Sequence, residues 1–550
     1  MHRHRLLCAL LSLFAYPAST FAATTDANAI PWRPCTFDET GWDAPALVDR
    51  LQCGTMQVPF DHRHPDAGEV EVGLIRVLAG DPARREGTIF FNFGGPGGNP
   101  RKFLPSLADG WNALDTSDAV FGLLRTVADR YDLVAVVPRG LAGGRIYDCL
   151  AGREGIPFND LAADQGEDNW RSAERDALSF AADCNKDPFF RVVDTEQHVH
   201  DMEYARRLFG DAPLNFYGTS YGTWAGAWYG AMYPEHVGRM LFDSSMDVTR
   251  DFQDAVYTQV VGLHNLFLVD AARPALAAPE RYGLGIDEDA LLDRVRAMPM
   301  RAHAKWVTSI GSPAQLAAAL TMADWLRDDQ TLDEPALAAR VAAYRFHADN
   351  GMNAEIRDAA NELLTTYFYD GPSPAEAFLG TDGLSVYRAV TCNDTPWTSG
   401  SSFWRALSLH TASRFPGGSS SEAHSGLTCA NWLARGNMRP DMAVLGTIPA
   451  FLMIQAEFDP ATSLADASHV LESYDNARMV LAKGLHGHGV LMSLAAPRCV
   501  VAAAGTYLLT GQVPDTKRVS CEAEAARVPR SADDRLRAIE THLERLSKFI

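Results

Sequence analysis

Several things are scarce in this chain of 550 residues, and each scarcity excludes something. Cationic side chains are outnumbered: 49 Lys and Arg stand against 69 Asp and Glu, for a net charge of −20. A surface that acidic repels phosphate backbones, so nucleic acid is not an expected partner. Beyond the amino terminus no stretch reaches 18 uninterrupted apolar residues, and stable membrane insertion is not expected. The spacing C-x-x-C is absent, which argues against a zinc cluster. No metal and no cofactor is called for, and no internal repeat is visible.

What is present is ordinary globular material. The chain is 47% hydrophobic and 21% charged, which argues against wholesale disorder. Its length suggests about two to four domains. The first residues, MHRHRLLCALLSLFAYPASTFAATT, combine Arg3 and Arg5, an apolar run from Leu6 to Ala15 and small residues at Thr20 and Ala22. They read as a secretory signal peptide over 1–22, cut after Ala22, with export to a periplasm or the extracellular space. Cys8 would leave with it. The remaining cysteines are Cys35, Cys53, Cys149, Cys184, Cys392, Cys429, Cys499 and Cys521. An even count in an exported chain favours disulfides. The sequential pairing 35–53, 149–184, 392–429 and 499–521 is expected, because each pair closes a local loop.

Strand candidates punctuate the chain. Two alternating segments, Cys53–Pro59 and Glu69–Leu78, flank a turn-like DHRHPDAGE. Apolar runs follow at 88–93, 131–137, 214–217, 239–243, 450–455 and 478–482. Helical patterns lie between them at 196–209, 221–232 and 490–509. Buried strands alternating with helices imply an α/β fold with a mostly parallel central sheet covered on both faces. Residues 249–395 differ: they are rich in Ala, Leu and Asp, with helical spacing at 254–268, 288–298, 314–327, 335–346 and 354–368. They read as a helical lid inserted between two strands. The core is then split into 23–248 and 396–550. FPGGSSSEAHSG (415–426) reads as a flexible loop, and Asp534–Ile550 as a docked terminal helix.

The segment LNFYGTSYGTWAGAWYG (214–230) isolates Ser220 between Gly218 and Gly222, where a strand becomes a helix. That is the layout of a nucleophile elbow, which presents a serine at a helix N-terminus. A serine nucleophile needs a base, and the base needs an orienting carboxylate. AEFDPAT places Asp459 just past a strand, and GLHGHGV places His486 and His488 in a glycine-rich loop after the next one. The order Ser220, Asp459, His488 fits a sheet of this type, with Asp243, Asp247 and Asp466 as rival acids. The run into GGPGG (94–98) suggests an oxyanion loop, with Gly95 and Tyr221 as the backbone donors.

Together NFGGPGG (92–98), YDLVAVVPRG (131–140), LNFYGTSYGTWAG (214–226), AEFDPAT (456–462) and GHG (487–489) resemble the tripeptidyl aminopeptidase and proline iminopeptidase branch of α/β-hydrolase serine peptidases. The exported tripeptidyl aminopeptidases are the nearer match, over roughly 50–525. The resemblance implies an α/β-hydrolase fold with Ser220 as nucleophile, Asp459 as acid and His488 as base. Gly95 and Tyr221 would be the oxyanion donors. It further implies a serine peptidase acting near the free amino terminus of short peptides, with lid carboxylates holding the substrate amine. Asp394 and Glu457 are candidates for that amine site, and the choice stays open. An exported carboxylesterase or lipase-like hydrolase is the alternative, and a silent binding protein on the same fold is a third reading.

Overall fold

The computed structural model describes residues 30–152, 160–210, 213–371, 374–434, 437–493, 496–522 and 541–542. The signal peptide of 1–22, and all but two residues of the terminal helix expected over Asp534–Ile550, lie outside the described residues.

The strands are β1 (Arg33–Pro34), β2 (Leu51–Pro59), β3 (Glu69–Val77), β4 (Gly87–Asn92), β5 (Tyr131–Val136), β6 (Leu214–Thr219), β7 (Val237–Asp243), β8 (Phe451–Phe458), β9 (Ala477–His486) and β10 (Arg518–Glu522). They form one sheet in the order β1-β2-β3-β5-β4-β6-β7-β8-β9-β10. The first four neighbours pair antiparallel, and every pairing from β5 to β10 is parallel. This is an α/β-hydrolase architecture. β4 and β5 are buried along their whole length because helices cover both sheet faces, so their sequences are near-continuous apolar runs.

Alternate side chains of one strand feed two cores. Phe90 enters one with Val134, Val199, Trp224 and Val470. Ile89 and Phe91 enter the other with Leu133, Phe103, Val127 and Val500. The helix Thr195–Phe209 supplies Val199 to the first core. It is capped by Asp194, whose side chain accepts from Gln197 N, and it ends at Gly210 with φ 68°. The helical run expected over 490–509 starts later, at Arg498, because Pro497 stands at its N-cap and Val490–Met492 forms a short 3-10 turn instead.

Between β7 and β8 the chain leaves the sheet for a helical lid. The lid has its own core, built from residues such as Phe267, Leu316, Trp306, Trp325, Ile356 and Leu363. This insertion runs further than 395. The helices Ser401–Arg414 and Ser421–Ala430 also precede β8, and their Trp404, Ala423 and Leu427 pack with Trp170, Ala173 and Ala177 of the helix Glu167–Cys184. The loop expected over 415–426 is therefore half helix. Its glycines serve close packing: a Cβ on Gly417 would lie 2.5 Å from the Phe267 ring, and one on Gly418 would lie 2.8 Å from the carbonyl of Val260. No described helix is long and apolar enough to cross a membrane.

Four disulfides are closed, Cys35–Cys53, Cys149–Cys184, Cys392–Cys429 and Cys499–Cys521. The third joins the end of the helix Pro374–Asn393 to the helix Ser421–Ala430, within the lid. It spans 37 residues, for which loop entropy predicts a contribution of about 4 kcal/mol. Replacing both Cys392 and Cys429 by serine is expected to lower the urea unfolding midpoint by the equivalent of about 4 kcal/mol. An unchanged midpoint under non-reducing conditions would contradict this.

Candidate active site

The site assembles where β4, β6, β7, β8 and β9 end. β6 stops at Thr219, and Ser220 takes φ 59° and ψ −126° before the helix Tyr221–Met232 begins. A positive φ on a serine is a strained conformation, costing about 1–3 kcal/mol, and survives only when the surroundings enforce it. Here they do. Ser220 N donates to Asp243 O at 3.0 Å. A Cβ on Gly218 would lie 2.4 Å from the Gly222 carbonyl oxygen, and one on Gly222 would lie 2.1 Å from that of Asn92. The hydroxyl therefore stands at a helix N-terminus, where first-turn N–H groups lack intrahelical acceptors.

His488 lies beyond β9, between Gly487 (φ 138°) and Gly489 (φ 69°). Its Nδ1 meets Asp459 Oδ1 at 2.9 Å and Oδ2 at 3.0 Å. Asp459 is itself fixed at the end of β8, accepting from Ala461 N and Thr462 N at 2.9 Å each. The other ring nitrogen, Nε2, is buried and has no hydrogen-bond partner among the described residues. With Nδ1 tied to a carboxylate, Nε2 is the nitrogen left to accept a proton. Burial opposes charging this ring, but the charge and hydrogen bond of Asp459, helped by Asp243, outweigh it and raise the imidazole pKa above its ordinary value.

Gly95 faces the same cavity as Ser220 and His488. Its loop is built on Asn92, whose Oδ1 accepts from Gly94 N at 2.9 Å and whose Nδ2 meets His198 Nε2 at 3.0 Å. A Cβ on Gly95 would strike the nitrogens of Gly97 and Gly98 at 2.9 and 2.8 Å. Tyr221 is the first residue of the helix after Ser220, and its phenol bonds Thr195 on the buried side, turned from the cavity.

The rival acids separate cleanly. Asp243, at the end of β7, accepts from Val490 N (2.9 Å), Leu491 N (2.8 Å) and Tyr217 Oη (2.9 Å). Complete burial, only partly offset by these donors, pushes its carboxyl up to about 6. It does not bond the imidazole; with Ser244 Oγ, which accepts from Gly489 N at 2.8 Å, it anchors the loop that carries His488. Asp247 and Asp466 line the cavity without reaching His488, and His486 pairs with Asp270 of the lid. The two expected amine candidates are elsewhere. Asp394 is sealed against Thr195 and Trp224, with burial pushing its carboxyl up to about 8. Glu457 accepts from Gly484 N at 2.7 Å, and neither residue lines the cavity. Sequence offered no sign of the anchoring roles of Asp243 and Asn92 beyond their positions at strand ends.

The cavity encloses about 1010 Å³ between sheet edge and lid. The core contributes Ser220, His488 and Pro460, and the lid contributes Phe252, Leu263 and Tyr387.

Fold and site define the class, an α/β-hydrolase-fold serine hydrolase. The family model described as "alpha/beta hydrolase fold" matches residues 94–277, and the one described as "TAP-like protein" matches 416–521. The tripeptidyl aminopeptidase of Streptomyces lividans is 26% identical over 518 residues, covering 93% of this chain and 90% of that protein. Serine protease Hip1 of Mycobacterium tuberculosis is 27% identical over 246 residues, covering 43% of this chain and 44% of that one. The crystal structure of esterase E22 covers 84% of this chain and 100% of its own, with 12% identity and a TM-score of 0.34. The chain is thus an α/β-hydrolase with a C-terminal TAP-like segment, homologous to tripeptidyl aminopeptidases.

Removing the Asp243 anchor leaves two loop N–H groups unsatisfied and releases His488 from its position. Asp243→Ala is expected to slow fluorophosphonate labelling of Ser220 on the order of a hundredfold. A labelling rate equal to wild type, in folded protein, would refute the anchoring role.

Proposed function

We propose that this protein is an exported serine peptidase that cleaves peptide bonds near the free amino terminus of short peptides. The observation that carries the proposal is the imidazole of His488, bonded through Nδ1 to Asp459 and lining one cavity with Ser220. The names of the curated relatives support a peptidase, and the amino-terminal segment of the sequence supports export.

In the proposed mechanism His488 Nε2 takes the Ser220 proton as the hydroxyl attacks the scissile carbonyl. The N–H groups of Gly95 and Tyr221 hold the oxyanion, each such donor being worth about 3–4 kcal/mol in the transition state. His488 then protonates the leaving amine, and water attacks the acyl-enzyme with the same imidazole as base. Asp459 holds the ring in the required tautomer and stabilises its cation.

Two measurements test this. Ser220→Ala is expected to abolish fluorophosphonate labelling and to lower kcat about a millionfold. A peptide-library digest read by mass spectrometry is expected to release amino-terminal fragments from unblocked peptides. Hydrolysis of p-nitrophenyl esters with no peptide cleaved would favour the esterase reading, and no labelling of folded protein would favour a binding protein.

The pH profile follows from the site. The base must be neutral, and its pKa is raised, so kcat/KM is lost as pH falls through a value above about 6.5, the ordinary imidazole value. An acid limb below that value would contradict the raised pKa of the His488 imidazole.

A further inference from the structure

The first turn of the helix Thr195–Phe209 lies behind both proposed oxyanion donors. Residues three apart on a helix share a face, and Thr195 and His198 reach from it in two directions. The Thr195 hydroxyl bonds the phenol of Tyr221, the residue after Ser220. His198 Nε2 meets Asn92 Nδ2 at 3.0 Å, and Asn92 Oδ1 accepts from Gly94 N at 2.9 Å. His198 also lines a space of about 10 Å³ with Pro96, Gly97 and Tyr221. The imidazole therefore sits directly behind the glycine loop.

The polarity of this chain of bonds is fixed. Asn92 Oδ1 is taken by an N–H, so its amide nitrogen faces the ring and donates. Nε2 then accepts, and the proton of the neutral ring is on Nδ1. A charged ring would set N–H against N–H there, and the amide would have to turn away from Gly94 to answer it. Burial pushes the imidazole down to about 4, against the charge of Asp201 and with that of Arg139, so the accepting form persists at neutral pH. Nδ1 is buried and has no hydrogen-bond partner among the described residues. A buried imidazole carries a desolvation cost that an apolar ring of similar size does not. Among the described residues, the one side-chain hydrogen bond that offsets it goes to Asn92.

We infer that His198 is a positioning residue for the oxyanion loop: by accepting from Asn92 Nδ2 it keeps Asn92 Oδ1 on Gly94 N, and so sets where the N–H of Gly95 points. His198 does not line the cavity that holds Ser220, and it acts through Asn92. The inference rests on the proposed reading of Ser220 as nucleophile and Gly95 as donor, and holds for an ester as for a peptide. Its test must separate the hydrogen bond from the volume that the ring fills.

Three variants do this. His198→Phe fills the space without an acceptor. His198→Gln puts an acceptor where Nε2 stood, and His198→Asn puts one only where Nδ1 stood. Each is reacted with a fluorophosphonate, whose phosphoryl oxygen takes the place of the oxyanion, and kinact and KI are measured separately. The thermal unfolding midpoint of each is recorded alongside. His198→Phe and His198→Asn are expected to lower kinact about tenfold or more with KI little changed. His198→Gln is expected to recover most of the wild-type kinact. A ring needed only for packing would be replaced by phenylalanine without loss of kinact, so that result overturns the inference. A His198→Gln no faster than His198→Asn also overturns it, as does a kinact that follows the unfolding midpoint rather than the acceptor. If His198→Phe does not fold, the comparison of Gln with Asn decides alone. Wild-type protein that folds but is not labelled overturns the serine-hydrolase reading, and the inference with it; labelled wild type with an equally fast His198→Phe sinks the inference alone.

Discussion

The elbow around Ser220 has no room for a side chain on either flank. Gly222 passes so close to the carbonyl of Asn92 that a Cβ would overlap it, and Gly218 is held in the same way against Gly222. This close approach locks the end of β4 to the start of the helix behind the serine. Because Asn92 also holds Gly94, the glycine loop inherits its position from that lock. The position of the glycine loop relative to the serine is thus set by close backbone packing and by one buried asparagine. Preorganisation of that kind is what makes dipoles effective towards a developing charge.

Two buried carboxylates stand near His488, and their surroundings separate their tasks. Asp243 has its oxygens occupied by two backbone N–H groups and a phenol, so it holds a loop in place. Asp459 keeps both oxygens within reach of the imidazole while backbone groups of Ala461 and Thr462 fix its angle. The first ends β7 and the second ends β8. The parallel register of those strands brings both to one rim of the sheet, where charge on the ring can be stabilised from two sides.

Much of this was legible in the sequence because a doubly covered parallel sheet writes its strands as apolar runs. β4, β5, β6, β7, β8 and β9 were all visible that way. β1 and β10 were not: one has two residues, and the other, RVSCE, is an exposed edge strand with no apolar signature. The serine-rich stretch at 421–426 looked like a loop because its composition is polar. It is helical because it is buried among lid helices, with Gly426 pressed on the ring of Trp404. The order of Ser220, Asp459 and His488 along the chain could be read from strand ends. The anchoring by Asp243 and the pairing state of each cavity carboxylate depend on what lies opposite in space, and no local pattern records that.

The lid leaves the sheet after β7, returns before β8, and builds a hydrophobic core of its own from residues between Phe267 and Leu364. Since that core shares no residues with those flanking the sheet, mutations within it are buffered from the strands beneath. Such a layout gives most of the insertion a stability of its own, while Phe252, Val256, Val386 and Val390 tie it to the core beside the sheet. Substitutions confined to that separate core can therefore accumulate without disturbing the strand ends that carry hydroxyl, imidazole and carboxylate, whereas helices that pack at the seam are not free to change in this way.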